Sequence, residues 1–305
     1  ALPSGAAVFL AGDLASPNGL PLADVAVRPG WLVEDDGLVV DARPAATGGM
    51  LLLHTVLLNV RKDWGDGGKR PQWLRAILAT NRAHVRRHHH AMAIRWKPTL
   101  EFPPPWQEGL CERNPKEREK TNCWLNAVRE NYNWEKHQMM LDYLNSPSGF
   151  SHVLVLDADA AFVQPDHDIM SKMASELELA GKELLLSNED WLDDESSKGR
   201  INGGLLFARN TNYTRALFED MLDAHWSGKP GKPKPRSGGA TILGCAGNEQ
   251  LCLGAVQNRK EFKAKVLVTS GMRYNCGAKE AFFKRMQAAD SDLDIMHFMG
   301  GSKTA

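Results

Sequence analysis

No run of apolar residues in this sequence is long enough to cross a membrane. The longest, Met50 to Leu58 with His54 inside it, falls well short of the roughly 20 residues that a bilayer requires. The amino terminus lacks a basic segment followed by an apolar one, so no secretory leader is visible. It also lacks an initiating methionine, which suggests a processed or truncated product from which an anchor or targeting segment has been removed. Net charge is missing: Lys+Arg and Asp+Glu both total 37, which argues against holding nucleic acid by displacing counterions from its phosphates. Cysteine is scarce, with five residues (Cys111, Cys123, Cys245, Cys252 and Cys276). An odd number leaves one unpaired if disulfides form, and the absence of any C-x-x-C pair argues against structural zinc. The single glycosylation sequon, Asn212-Tyr213-Thr214, favours a secretory compartment.

What is present is the composition of a globular chain: 305 residues, 43 % hydrophobic and 24 % charged, which suits one large α/β domain with or without a small extension. Residues 1–49, rich in Ala, Gly, Pro and Asp, form the expected extension. Within it, Trp31-Leu32-Val33 and Leu38-Val39-Val40 flank an Asp36-Gly37 turn and read as a hairpin. From residue 50 to 305 apolar runs alternate with helical patterns. Strands are expected over Met50–Val60, Ala91–Trp96, His152–Leu156, Glu183–Ser187 and Ile201–Ala208. Helices are expected over Pro71–His89, Trp124–Leu144, Pro165–Ala180 and Thr211–Trp226. That alternation predicts a largely parallel sheet covered on both faces. Ser227–Ala240, rich in Gly and Pro and carrying Lys229, Lys232, Lys234 and Arg236, reads as a solvated loop or as a lid over an anionic substrate.

The strongest local signal is His152-Val153-Leu154-Val155-Leu156-Asp157-Ala158-Asp159, a buried strand with two carboxylates at its carboxyl end. Ligands of open α/β sheets bind just beyond that end, and a spacing of two keeps both carboxylates on one side of an extended chain. Two hard oxygen donors there suit Mn²⁺ or Mg²⁺ shared with ligand phosphates. Haloacid-dehalogenase-like phosphatases use a similar pair, with Asp157 as nucleophile. They place it near the start of the domain and carry Thr or Val where this chain has Ala161. A second cluster, Asp294-Ile295-Met296-His297-Phe298-Met299-Gly300-Gly301-Ser302-Lys303, reads as a short strand delivering His297. The glycine turn after it permits close approach to a phosphate, and Lys303 adds a point charge. His84 and His88 stand one helical turn apart before His89 and His90. With Arg86 and Arg87 opposing a cation between them, they read as a solvated helix end.

Taken in order, these segments resemble the GT-A glycosyltransferases, especially the retaining families that close on His-x-x-Gly-x-x-Lys, as His297, Gly300 and Lys303 do here. The segments between resemble the α-galactosyl/xylosyltransferase family: Asn81-Arg82-Ala83-His84 to His90, Trp134-Glu135-Lys136, Ile201-Asn202-Gly203-Gly204 and Asn248-Glu249-Gln250. The resemblance implies a Rossmann-like α/β sandwich with a mixed, mostly parallel sheet. It also implies a UDP-sugar donor with Mn²⁺ bridging its diphosphate, a glycan or glycoprotein acceptor, and a Golgi setting. Asp159 and His297 would ligate the metal, with Asp157 a ligand or a ribose contact. Lys303 and Gly300 would hold the diphosphate, Asn202, Gly203 and Gly204 would line the sugar, and Gln250 with Glu249 would face the anomeric carbon. Lys136 would reach the donor, and Asn59, beyond the first strand, would touch the nucleotide. A phosphatase and a non-catalytic homologue that only binds nucleotide or glycan are the competing readings.

Overall fold

The computed structural model describes residues 24–27, 49–55, 72–95, 100, 133–146, 149–189, 200–227, 249–258, 260–277 and 292–298. The expected hairpin, Asn59, the 227–240 segment beyond Ser227, Gly300 and Lys303 lie outside them. Ten strands are described: β1 (Asp24–Val27), β2 (Met50–Thr55), β3 (Ala91–Arg95), β4 (His152–Asp157), β5 (Ala160–Phe162), β6 (Leu184–Asn188), β7 (Ile201–Arg209), β8 (Val266–Thr269), β9 (Cys276–Gly277) and β10 (Ile295–His297). The helices are α1 (Gln72–Arg87), α2 (133–144), α3 (Ile169–Ala180), α4 (Asn212–Ser227), α5 (Glu249–Asn258), α6 (Lys260–Lys263) and α7 (Gly271–Tyr274).

Seven strands form the main sheet in the order β1-β3-β2-β4-β7-β6-β8. Its pairings make β2, β3, β4, β6 and β8 run one way and β1 and β7 the other, so the sheet is mixed and mostly parallel. The edge strand β1 comes from the stretch that the sequence sets apart. A smaller sheet, β5-β10-β9, stands over the carboxyl end of β4.

Side-chain alternation decides which helix covers which face. Leu51, Leu53, Val153 and Val155 pack against α2 and α4, through Trp134, Met140, Tyr143, Phe218 and Met221. Leu52, Leu154 and Leu156 face α1 and α3, through Leu74, Leu78, Val85, Met173 and Leu177. Each such leucine contributes roughly 1.5–3 kcal/mol by leaving water, and burial on both sides explains the consecutive apolar residues Leu51 to Leu53 in β2 and Val153 to Leu156 in β4. Asp157 continues the parity of Val153 and Val155, which turns it toward α2.

Three features of the helices have local causes. Helix α3 begins at Ile169, later than Pro165, because Asp168 caps it: its carboxylate accepts from Ser171 N (3.0 Å) and Ser171 Oγ (2.6 Å). Thr214 of the sequon lies on the first turn of α4, buried, its hydroxyl accepting from Thr211 N (3.1 Å) and donating to the Arg209 carbonyl (2.6 Å). The histidines at the end of α1 depart from the solvated helix end read in the sequence. His84 and His90 are buried, with His84 stacked on Phe162 at 3.7 Å between ring centres and His90 paired to Asp168 at 2.8 Å. The buried positions 74, 77, 78, 81, 84 and 85 form one helical stripe, and His84 belongs to it.

Candidate metal and donor site

The site forms where β4 ends. Asp157 closes that strand, and the chain turns through Ala158 and Asp159 into β5. Strand β10 pairs antiparallel with β5, setting His297 opposite Ala160, and the Phe298 amide donates to the Asp159 carbonyl at 2.7 Å. Two distant parts of the sequence are thereby joined. Ligand atoms of Asp157, Asp159 and His297 lie within 4.8 Å of one another, which among the described residues marks one group able to hold a metal ion. His297 Nε2 stands 3.0 Å from Asp159 Oδ1 and 3.7 Å from Asp157 Oδ2. Burial disfavours the charged imidazole, yet the hydrogen bond and charge of Asp159, helped by Asp157, outweigh it and raise the pKa of His297. The proton on Nε2 thus occupies the place between the carboxylates where a divalent cation would compete. Two carboxylates and an imidazole are a donor set that Mn²⁺ accepts.

Lys136 stands at the centre of this cluster, not in solvent as an ordinary helix lysine would. Its exposure is 2 %, and its Nζ donates to the Gly203 carbonyl (2.7 Å) and to Asp157 Oδ1 (3.1 Å), with Glu249 Oε1 at 3.4 Å. Burial opposes its charge, and the two carboxylates more than restore it, so its pKa is raised. The helix carrying Lys136 is anchored by the preceding residue. Arg95, fully buried at the end of β3, donates to Glu135 Oε1 and Asp142 Oδ2, each at 2.7 Å, and Glu135 Oε2 accepts from the Leu100 amide at 3.0 Å. Trp134, on the other side, stacks on His225 with 4.3 Å between ring centres.

Gly203 and Gly204 lie where the registers of β7 and β6 diverge: Ser187 pairs with Asn202 but Leu186 with Leu206, so one step on β6 spans four on β7. This bulge brings backbone into the cluster. A β-carbon on Gly204 would stand 2.6 Å from His297 Nδ1 and 2.8 Å from Asn202 Oδ1. One on Gly203 would stand 3.1 Å from Glu249 Oε1 and 3.2 Å from Gln250 Cγ. Glu249 and Gln250 open α5 directly against the bulge. Glu249 is buried, and its Oε2 has no hydrogen-bond partner.

The structure therefore brings together Asp157, Asp159, His297, Lys136, Gly203, Gly204, Glu249 and Gln250. Asn202 is beside them, but its side chain serves the bulge: Oδ1 accepts from Gly204 N and Asn275 Nδ2, both at 2.7 Å, and Nδ2 donates to Glu189 Oε1 at 3.0 Å. Glu189 and Asn275 escaped sequence reasoning because each is an isolated polar residue in no motif. Cys252, on α5, is disulfide-bonded, and Cys276 is a buried thiol.

No protein-family model and no curated protein sequence matches the chain. Among solved structures it resembles a glycosyltransferase involved in glycosylation of the major capsid of PBCV-1, with a TM-score of 0.51 at 11 % identity over 84 % of this chain and 95 % of that one. It also aligns with the galactosyltransferase LgtC bound to donor and acceptor sugar analogues (TM-score 0.35, 13 % identity, 82 % and 87 % covered). Mouse xyloside xylosyltransferase 1 aligns likewise (0.37, 10 %, 83 % and 98 %). These last two scores are below the level at which a common fold follows. The first, with the mixed sheet and the small sheet over its carboxyl edge, gives this chain the GT-A glycosyltransferase fold.

Proposed function

We propose that this chain is a Mn²⁺-dependent glycosyltransferase that moves a sugar from a UDP-sugar to a hydroxyl of a glycan or glycoprotein, with retention at the anomeric carbon. The observation that carries the reading is the convergence of Asp157, Asp159 and His297 at the carboxyl end of β4, from segments more than a hundred residues apart. Asp159 and His297 would hold the metal, with Asp157 a third ligand or a ribose contact. A divalent cation bound there would neutralise the charge that develops on the departing diphosphate.

The chain's own groups supply the rest. Lys136 keeps a buried positive charge beside Asp157 and Glu249, facing a site that gains negative charge as a donor breaks. Gly203 and Gly204, whose lack of side chains lets His297, Glu249 and Gln250 close on the β7 backbone, are the residues we assign to lining the sugar. Glu249 and Gln250, beside Gly203, are the groups we assign to the anomeric carbon. Gly300 and Lys303 would add the diphosphate clamp, and Asn59 a nucleotide contact. The GT-A fold leaves the haloacid-dehalogenase alternative without support. For the compartment we propose the Golgi or another secretory lumen, since the Cys252 disulfide suits an oxidising environment.

The test is release of UDP from a panel of UDP-sugars, with Mn²⁺ and with excess chelator. Metal-dependent release that falls on the order of a thousandfold in Asp159→Asn, the size of several kcal/mol of lost charge stabilisation, supports the reading. Binding of UDP without release from any donor would mark a non-catalytic homologue.

A further inference from the structure

Behind the ligand set lies a buried amide with no part in the function proposed above. Asn81 sits mid-way along α1, in the stripe otherwise made by Leu74, Ile77, Leu78 and Val85. Packing alone would favour an apolar residue there, because a buried amide is costly unless its groups are paired. All three of its contacts go to the turn that carries the carboxylates or to the strand beside it. Nδ2 donates to the Ala160 carbonyl at 2.9 Å, Oδ1 accepts from the Phe162 amide at 3.0 Å, and Nδ2 meets His54 Nε2 at 2.8 Å. One side chain thus meets a carbonyl and an amide on one edge of β5, as a neighbouring strand would. The other edge holds β10, with His297 opposite Ala160.

His54 extends the brace. The Phe162 amide requires an acceptor, which fixes the orientation of the Asn81 amide, so its NH₂ must face His54. An NH₂ can only donate, so His54 Nε2 accepts and its proton resides on Nδ1. His54 is on β2, paired with Leu156, and is completely buried. Its Nδ1 is buried without a hydrogen-bond partner. The turn that follows Asp157 is therefore held from beneath at Ala160 and Phe162 by Asn81, whose amide is in turn anchored to β2 by His54.

We propose that Asn81, backed by His54, is a positioning residue that fixes the separation of Asp157, Asp159 and His297 for a divalent cation. The proposal rests on the metal-site reading above. Neither residue touches a ligand side chain, so each acts through backbone placement.

The experiment measures Mn²⁺ affinity of the full chain by the electron paramagnetic resonance signal of free Mn²⁺, beside the thermal midpoint. Wild type is compared with Asn81→Asp, which keeps the shape and removes both donors, and with Leu78→Ala, a cavity in the same helix face. Asn81→Asp is expected to weaken Mn²⁺ binding about tenfold, the scale for groups supporting metal ligands. Leu78→Ala should lower the midpoint and leave affinity within about twofold, since it removes only packing. Should Asn81→Asp fail to fold, His54→Phe carries the same test with an expected loss of about threefold, one hydrogen bond's worth. Unchanged affinity in the folded variant, or an equal loss in Leu78→Ala, overturns the proposal. Absence of Mn²⁺ binding in wild type overturns the metal-site reading itself, and this inference with it, a result distinct from the other two.

Discussion

The cluster around Asp157 and the end of α1 both bury a histidine, and the pKa shifts of His297 and His84 run in opposite directions. In the cluster, Lys136 and His297 are kept positive against burial by the carboxylates around them. At the helix end, burial, reinforced by His88 and His90, drives the pKa of His84 down to about 3, and neither ring nitrogen has a hydrogen-bond partner. There the imidazole behaves as a flat ring for Phe162 to stack on. The same residue type is an ion where carboxylates converge and a packing element where other imidazoles surround it. What separates a binding site from filler is therefore the set of counter-charges arriving from distant segments.

Four substitutions sharpen or break this contrast. The largest effect belongs to Lys136→Met, which leaves the buried Glu249 and the half-buried Asp157 without their shared cation. Unfolding by denaturant should show a loss of roughly 3–5 kcal/mol, the scale for breaking a buried ion pair. A loss below about 1 kcal/mol, the scale of an exposed pair, would mean that the charge is not stored as described.

Next comes Gly204→Ala. The added methyl meets the His297 ring and Asn202, and overpacking of that kind costs about 1–3 kcal/mol. Gly203→Ala meets longer contacts and should cost less. The paired measurement is Mn²⁺ affinity, which should fall in the Gly204 variant if the displaced ring is the ligand proposed above. Equal affinity in both variants would place His297 outside the metal site.

The smallest effect, and the one that depends on pH, is His84→Phe. A histidine whose folded pKa lies below its unfolded value of 6.5 binds a proton only in the unfolded chain between those limits. Unfolding is therefore promoted as pH falls from about 6.5 toward 3, at up to about 1.4 kcal/mol per pH unit for each such group. Phenylalanine keeps the stack and removes the proton site. The variant should match or exceed wild type at pH 7.5 and gain about 1–2 kcal/mol over it at pH 5. His54, His152 and His225, each lowered to about 4 by burial, still make the variant acid-sensitive. A variant less stable than wild type at pH 5 would show that His84 is charged in the folded protein.

Much of the fold could be read from the sequence because its signals are local. Strand β4 is a continuous apolar run ended by aspartate, and β10 is a short one bearing His297. Each was visible in its own segment, and the resemblance supplied the link between them. Lys136 illustrates the opposite case. A lysine on a helix has no local mark of burial, and its place follows from Arg95 clamping Glu135 and from the odd-numbered face of β4 turning Asp157 toward α2. The end of α1 was misread for a different reason: Arg86 and Arg87 signal solvent, while the 3.6-residue spacing from Leu74 through Asn81 to His84 signals core. The spacing was the better guide. Glu189 and Asn275 hold Asn202 through contacts between segments that no single stretch of sequence encodes.

The central claim is that Asp157, Asp159 and His297 form a metal-dependent nucleotide site. Calorimetric titration of UDP into the protein tests it directly, first with Mn²⁺, then with excess chelator, and with AMP as the control ligand. The account predicts micromolar UDP binding with Mn²⁺ that vanishes with chelator and is absent for AMP. Equal UDP binding with and without metal, or no UDP binding under either condition, would contradict it.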